Sequence, residues 1–365
     1  MHRRSQNSFL AAALAVAAAA PLGYAQAPPG PITPPPNAPQ QPQRTVRVKV
    51  EEVSTPVTVH NRHGDLVLNL QAKDFHIFDG GVEQKIEHFD LGAGPLSVVV
   101  VVENSDRVAP LLPAVRNTAI LLSQKVMPGD VQMAIVSYDD TVAVRQEFTP
   151  SADAVERAMN KLPAGIQGAV LFDALSRGVA MLSRQPKDRR RVLLALAEPV
   201  DSGSETKLGE VLREAQLQNV AIYSVGLSTT AAELRAPPRE PPPSPYPPGA
   251  IPGPPGVPQT PSTVAAESSS GDLGAVAIWI VQHVKSSVKE NALEVAAAAT
   301  GGRNLAAFKD RTMEKALSQI ADELHAQYTL AYRPTTADTP GFHKITVEVD
   351  RGDLKVRSRP GYYLE

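Results

Sequence analysis

The sequence predicts an α/β fold: a mostly parallel sheet with helices on both faces, inserted in a small β-sandwich-like domain built from the N- and C-terminal strands. Three observations predict it. Five consecutive valines at 98–102 read as a strand buried on both faces of a parallel sheet. From residue 95 to about 332, strand-like and helix-like segments alternate, as in sheets covered by helices on both sides. Before and after that stretch the pattern is period-two alternation, so the terminal strands are expected to pair with each other.

In chain order, Arg3 and Arg4 precede an apolar, alanine-rich run at 9–22, and Gly23-Tyr24-Ala25 places small residues at both cleavage-determining positions. This reads as a signal peptide of residues 1–25, so the mature protein is expected in the periplasm or secreted. Residues 26–44 are a proline-rich linker, and 45–92 an N-terminal β segment. Within the latter, NRHGD at 61–65 and Asp79-Gly80-Gly81 carry hairpin-turn chemistry. In the α/β segment at 95–332, LLPAVRNTAILLSQKV has apolar residues at helical spacing, and VQMAIVSY is a strand. Asp139, Asp140 and Thr141 turn into the strand VAVRQEF, and Ser151 caps the next helix. GIQGAVLFDALSRGVAMLS is a loop entering a helix, RVLLALAE a strand, 205–218 a helix and VAIYSVGL a strand.

Residues 236–270 are too rich in proline for helix or central strand and read as a solvated insertion, outside regular structure and disordered. Asp272 then caps an apolar segment holding Trp279, and TMEKALSQIADELHAQ is a helix. A C-terminal β segment at 333–365 is expected to pair with 45–92. Within it, Arg351-Gly352-Asp353 reads as a tight hairpin between ITVEV and LKVRS.

Composition narrows the function. The chain has 365 residues, a formal net charge of −2 and no cysteine. Disulfides, thiolate metal sites and a cysteine nucleophile are excluded, and nothing favours nucleic acid as a partner. The short basic run at 188–191 is too small for that purpose. No segment after the N-terminal run is long and apolar enough to span a bilayer.

Several of these segments together resemble a von Willebrand factor type A domain: VVVVVENSD, GAVLFDAL, RVLLALAEPVD, IYSVGL and ATGGRNLAAF. The flanks, from PVTVHNRHGD to DGGVEQKI and from YTLAYRP to RPGYY, are similar to a bacterial exported subgroup named for Acidobacteria. The resemblance implies a Rossmann-like domain used mainly for binding. It also implies a metal-ion-dependent adhesion site, in which Asp-x-Ser-x-Ser, a threonine and a further aspartate hold Mg²⁺ through oxygens. At those positions this chain has Glu103, Ser105, Arg107, Ala169 and Glu198, so one oxygen-bearing residue is unchanged.

The substitutions have physical consequences. Glutamate is a methylene longer than aspartate, alanine offers no oxygen, and Arg107 brings a fixed positive charge to the cation position. The favoured expectation is a degenerate, metal-free rim of Glu103, Ser105, Arg107 and Glu198 that contacts a protein or peptide partner. The alternative is a retained weak Mg²⁺ site on Glu103, Ser105 and Glu198, with Asp106 and Asp173 as substitute ligands.

Other candidates are bland. His60 and His63 flank a turn with no third metal ligand, and Ser202 and Ser204 have no base near them in sequence. No catalytic motif is recognised, and a hydrolase is the least favoured class.

Overall fold

A computed structural model describes residues 52–92, 94–227, 291–307, 310–335 and 341–364. The segment expected as a signal peptide, both proline-rich stretches, Asp272 and Trp279 lie outside them. Strand β1 (Val53–His60) carries its apolar residues on one buried face. β2 (Phe75–Asp79) enters β3 (Val82–Gln84) through Gly80 and Gly81, whose φ values of 59° and 87° suit a two-residue hairpin. β4 (Ile86–Leu91) follows.

The central sheet begins with β5 (Leu96–Glu103), buried over all 8 residues. β6 (Val131–Tyr138), β8 (Arg190–Ala197), β9 (Val220–Leu227) and β10 (Asn304–Ala307) are its parallel companions, and β7 (Val142–Thr149) is an antiparallel edge. The order is β10-β9-β8-β5-β6-β7. Helices α1 (Leu112–Leu121), α2 (Ala152–Asn160) and α6 (Asp310–His325) cover one face. The other is covered by α3 (Leu171–Ser183), α4 (Leu208–Leu217) and α5 (Ala292–Thr300). Val98, Val100 and Val102 pack toward the first layer and Val99 and Val101 toward the second. Two helix layers are therefore the reason the valine run does not alternate. Each such side chain contributes about 1.5–3 kcal/mol on leaving water.

The segment expected as one helix from 111 to 126 divides into a 3₁₀ turn at Asp106–Leu111, α1, and a wider π-type turn at Leu122–Val126. Pro110 lies within the 3₁₀ turn, and Pro113 sits in the first turn of α1, where a missing amide hydrogen is tolerated. Ser151 caps α2, its hydroxyl accepting from the Ala154 amide.

The chain's two ends meet as two four-stranded sheets. With β11 (Tyr328–Tyr332), β12 (Gly341–Val349), β13 (Lys355–Ser358) and β14 (Gly361–Leu364), their orders are β13-β1-β11-β4 and β14-β12-β2-β3. Val57, Ile77, Tyr328, Leu330, Tyr332 and Ile345 share the core of this sandwich. Two details differ from expectation. β11 pairs with β1 and β4, so the outer domain resumes at residue 328 instead of 333. Arg351, Gly352 and Asp353 do not close a hairpin, because β12 and β13 lie in different sheets and the turn carries the chain across.

Two buried carboxylates tie these layers. Asp79 accepts from the Tyr332 hydroxyl at 3.1 Å and the Tyr362 hydroxyl at 2.8 Å, one from each sheet. Glu323, on α6, accepts from Tyr223 of β9 at 2.7 Å, from Thr58 of β1 at 3.3 Å, and from Arg357 of β13. Glu323 therefore joins the α/β layer to the sandwich. Glu323→Ala should lower stability by about 2–3 kcal/mol, because it leaves the buried Tyr223 and Thr58 hydroxyls and the part-buried Arg357 without their shared acceptor. A fall in the urea midpoint with an unchanged slope would show it.

Alkaline pH offers a second check. Burial, reinforced by Asp79, pushes the Tyr332 and Tyr362 hydroxyls well above the usual phenol range. Burial pushes Tyr138 well above that range and raises Tyr223 as well. Above pH 10 the unfolded phenols ionise while the folded ones keep their protons, so the folded state binds more protons and stability falls. Each phenol lowers stability by up to about 1.4 kcal/mol per pH unit. Arg359, which burial lowers to about 10, releases its proton first in the folded state and offsets one phenol. Urea midpoints should drop between pH 9 and pH 11.

Candidate functional site

β5 and β8 are neighbours at the centre of the sheet, and there the strand order reverses. From β5 the chain moves outward to β6 and β7; from β8 it moves the other way, to β9 and β10. The crevice beyond the carboxyl ends of such a pair is where open α/β sheets hold ligands. Glu103, Ser105, Arg107 and Glu198 converge at this point.

Glu103 is the last residue of β5 and is fully buried. Its Oε1 accepts from the Ser105 hydroxyl at 2.6 Å and from Arg107 Nη2 at 3.2 Å. Its Oε2 accepts from the Glu198 amide at 2.7 Å and, at 3.5 Å, from the Tyr138 hydroxyl. Arg107 Nε lies 3.7 Å from Glu198 Oε2, so the guanidinium stands between two carboxylates. Both oxygens of Glu103 are engaged, and a cation arriving there would have to displace Arg107 and pay the desolvation of a charge left alone.

The loops around the crevice hold one another. Gly165 donates its amide to the Asn104 carbonyl at 2.7 Å, and a Cβ there would sit 2.6 Å from that oxygen and from Asp139 Oδ2. Glycine is thus required by close approach. Asp139 accepts from the amides of Thr141 and Ile166; burial alone would raise its carboxyl, but these bonds hold it below the usual range. Ala169 is buried and takes the Ser202 amide on its carbonyl at 2.8 Å.

The remaining candidates lie elsewhere. Asp106 is exposed at the start of the 3₁₀ turn. Asp173 accepts from the amides of Glu205 and Thr206; burial opposes its ionisation, and these bonds outweigh it and lower its pKa. It orders the loop before α4, whereas α3 takes its start from Asp201, which accepts from the Phe172 amide at 3.0 Å. The Ser204 hydroxyl donates to Asp201 at 2.6 Å.

Sequence reasoning missed Tyr138 and Asp201. Tyr138 reaches the site because β5 and β6 pair Glu103 with it in register, a fact that VQMAIVSY alone does not reveal. Burial, then the Glu103 charge, raises the Tyr138 hydroxyl well above the usual phenol range, so it stays a donor. Among the described residues, no three His, Asp or Glu side chains are grouped so as to hold a metal ion.

No family model and no curated protein matches the sequence. Solved structures that are similar include the conserved hypothetical protein BatB from Bacteroides thetaiotaomicron, at 12% identity and TM-score 0.40, covering 63% of this chain and 98% of that one. The SpRpn10 VWA domain is similar at 13% identity and TM-score 0.37, covering 63% and 95%. The vWF domain of the type V pili tip protein Mfa5 from Porphyromonas gingivalis is similar at 11% and 0.40, covering 64% and 95%. Likeness at this level assigns no residue a role.

Glu103→Ala removes the acceptor of four donors and should destabilise the protein by about 2–3 kcal/mol, through the loss of the acceptor for the buried Ser105 and Tyr138 hydroxyls and the Glu198 amide, and of one of the two carboxylates that answer Arg107. Ser105→Ala removes one hydrogen bond and should cost about 1 kcal/mol. Thermal melts of the two variants should rank in that order.

Proposed function

We propose that this protein is an exported, non-enzymatic binding or scaffold protein, which recognises a protein or peptide partner through a metal-free von Willebrand A-like rim. One observation carries the reading: Arg107 supplies, from within the chain, the positive charge that Glu103 and Glu198 would otherwise draw from a cation. Its side chain is 28% exposed, so it presents charge to solvent while holding a fully buried carboxylate. A partner's carboxylate can add to this guanidinium by charge-assisted hydrogen bonds. Ser105 and Glu198 complete the polar rim. Export is supported by the N-terminal pattern of Arg3, Arg4 and the small residues ending at Ala25. No bond-making role is assigned to Ser105 or Ser204, whose hydroxyls hold their own loops.

The test is calorimetric titration of the mature protein with MgCl₂ and MnCl₂, beside pull-downs from the exported fraction with and without chelator. The expected result is no micromolar metal binding and partner capture indifferent to chelator, but weakened by Arg107→Ala. Micromolar binding that disappears in Ser105→Ala, with capture abolished by chelator, would establish metal-dependent adhesion instead.

A further inference from the structure

At the amino end of β10, opposite the edge that carries the rim, a second feature collects charge of one sign. A cavity of ≈ 310 Å³ is lined by His60, Arg62, His63, Arg303, Lys355 and Arg357, with Asn61 and Gly64 in its turn. The strand register builds it. β1 pairs with β13 so that Thr58 faces Arg357 and His60 faces Lys355. Residues two apart share a face of a strand, so these two rungs stand on one side. Val59 points the other way, into the sandwich core, and Val356 packs against that core while also bordering the cavity.

Arg303 arrives from a separate element. Gly301 holds φ +78° after α5, and a Cβ there would meet the Arg359 amide nitrogen at 2.5 Å. At Gly302 a Cβ would meet the Ile222 carbonyl oxygen at 1.9 Å. Two consecutive glycines thus allow this turn to press against β9 and the β13–β14 junction, which delivers Arg303 to the cavity wall. The fold has taken a restrictive local geometry to place a third cation beside Lys355 and Arg357.

The charges in this wall do not balance internally. Glu323 is the carboxylate that contacts it, paired with Arg357 and, at 3.7 Å, with Arg303. Among the described residues, neither Arg62 nor Lys355 makes a side-chain hydrogen bond or ion pair. Lys355 and Arg357, two residues apart on one face of β13, carry like charge and repel each other. Burial lowers the His60 pKa, and the neighbouring Arg357 and Arg303 charges lower it further. A divalent cation at His60 and His63 would join four fixed cations.

We propose that this cavity binds a phosphate or phosphate ester, gripped by Arg303, Arg357 and Lys355 with Arg62 closing over it. Arginine forks match the oxygens of such a group, and lysine adds a point charge. The cavity has room for the oxyanion and part of the molecule that carries it. Binding places dianionic charge beside His60, faced by Arg303, Arg357, Lys355, Arg62 and His63, and so raises the imidazole's affinity for a proton.

The full mature chain is titrated calorimetrically with inorganic phosphate and pyrophosphate against chloride at equal ionic strength. It is also sedimented with phosphatidylglycerol or phosphatidylcholine vesicles. Phosphate should bind at millimolar concentration or below, and the His60 resonance should titrate at higher pH in phosphate than in chloride. Lys355→Gln, an exposed change that leaves the fold intact, should weaken binding about tenfold, as should Arg303→Gln. Sedimentation with phosphatidylglycerol alone would identify a lipid headgroup as the source; binding of free phosphate without vesicles would identify a soluble ester. Absence of both, or affinity unchanged in the two variants, overturns the proposal. Neither result bears on the rim, which is tested by metal and chelator.

Discussion

Taking a carboxylate out of water costs several kcal/mol unless donors replace the lost hydration, and this requirement organises the molecule. Asp79, Glu103 and Glu323 are each almost wholly buried. Each stands where elements distant in sequence come together, and each is answered by donors from those elements. Asp79 gathers hydroxyls from β11 and β14, and so holds the two sandwich sheets in register. Glu323 gathers Thr58, Tyr223 and Arg357 from three strands. Glu103 gathers two loops and a neighbouring strand. Apolar burial supplies most of the driving force, but it is tolerant of small shifts. The carboxylates are not, because a donor moved by an ångström leaves a buried charge exposed to its full penalty.

Much of the scaffold is legible in the amino-acid order. The valine run needs no partner to be read, since only a strand covered on both faces can be so uniformly apolar. Gly80-Gly81 and Ser151 act locally, and local chemistry survives folding. What fails to be legible depends on register between segments far apart. Thr58 and Glu323 are 265 residues apart, and nothing near either one announces the other. The same holds for Tyr138, which joins Glu103 only through the alignment of β5 with β6. The turn at 351–353 was misread for a related reason. Alternating strands on either side suit a hairpin and a crossover equally, and the choice rests on which sheet has a free edge. The segment expected as a helix at 111–126 is helical from Leu112 to Val126, and differs only in the 3₁₀ turn before it and the widened last turn.

The rim residues act as a coupled set. Glu103 carries its carboxylate one methylene beyond an aspartate's reach, and in that position it accepts the Glu198 amide and Tyr138 across the crevice. That position would be electrostatically poor without Arg107, whose guanidinium answers both Glu103 and Glu198. Ala169, in turn, is buried and takes the Ser202 amide on its carbonyl. Together Glu103, Arg107 and Glu198 form an internally paired arrangement of two carboxylates about one guanidinium. Ser105 keeps a hydroxyl, but it now serves the carboxylate beside it.

The two ends of the central sheet therefore differ in how their charge is resolved. At the carboxyl end, cation and carboxylate answer one another within the chain, so what remains for a partner is geometry and a modest surplus of hydrogen-bonding capacity. At the amino end of β10 the arginines and lysine outnumber the carboxylate they touch. Repulsion there is relieved by solvent and counter-ions at moderate ionic strength. An occupant of opposite sign gains the whole of that relief as binding free energy, whereas an occupant of the rim must first compete with Glu103 or Glu198 for Arg107. A single fold thus carries one surface whose affinity is limited by internal pairing and another whose affinity is supplied by its absence.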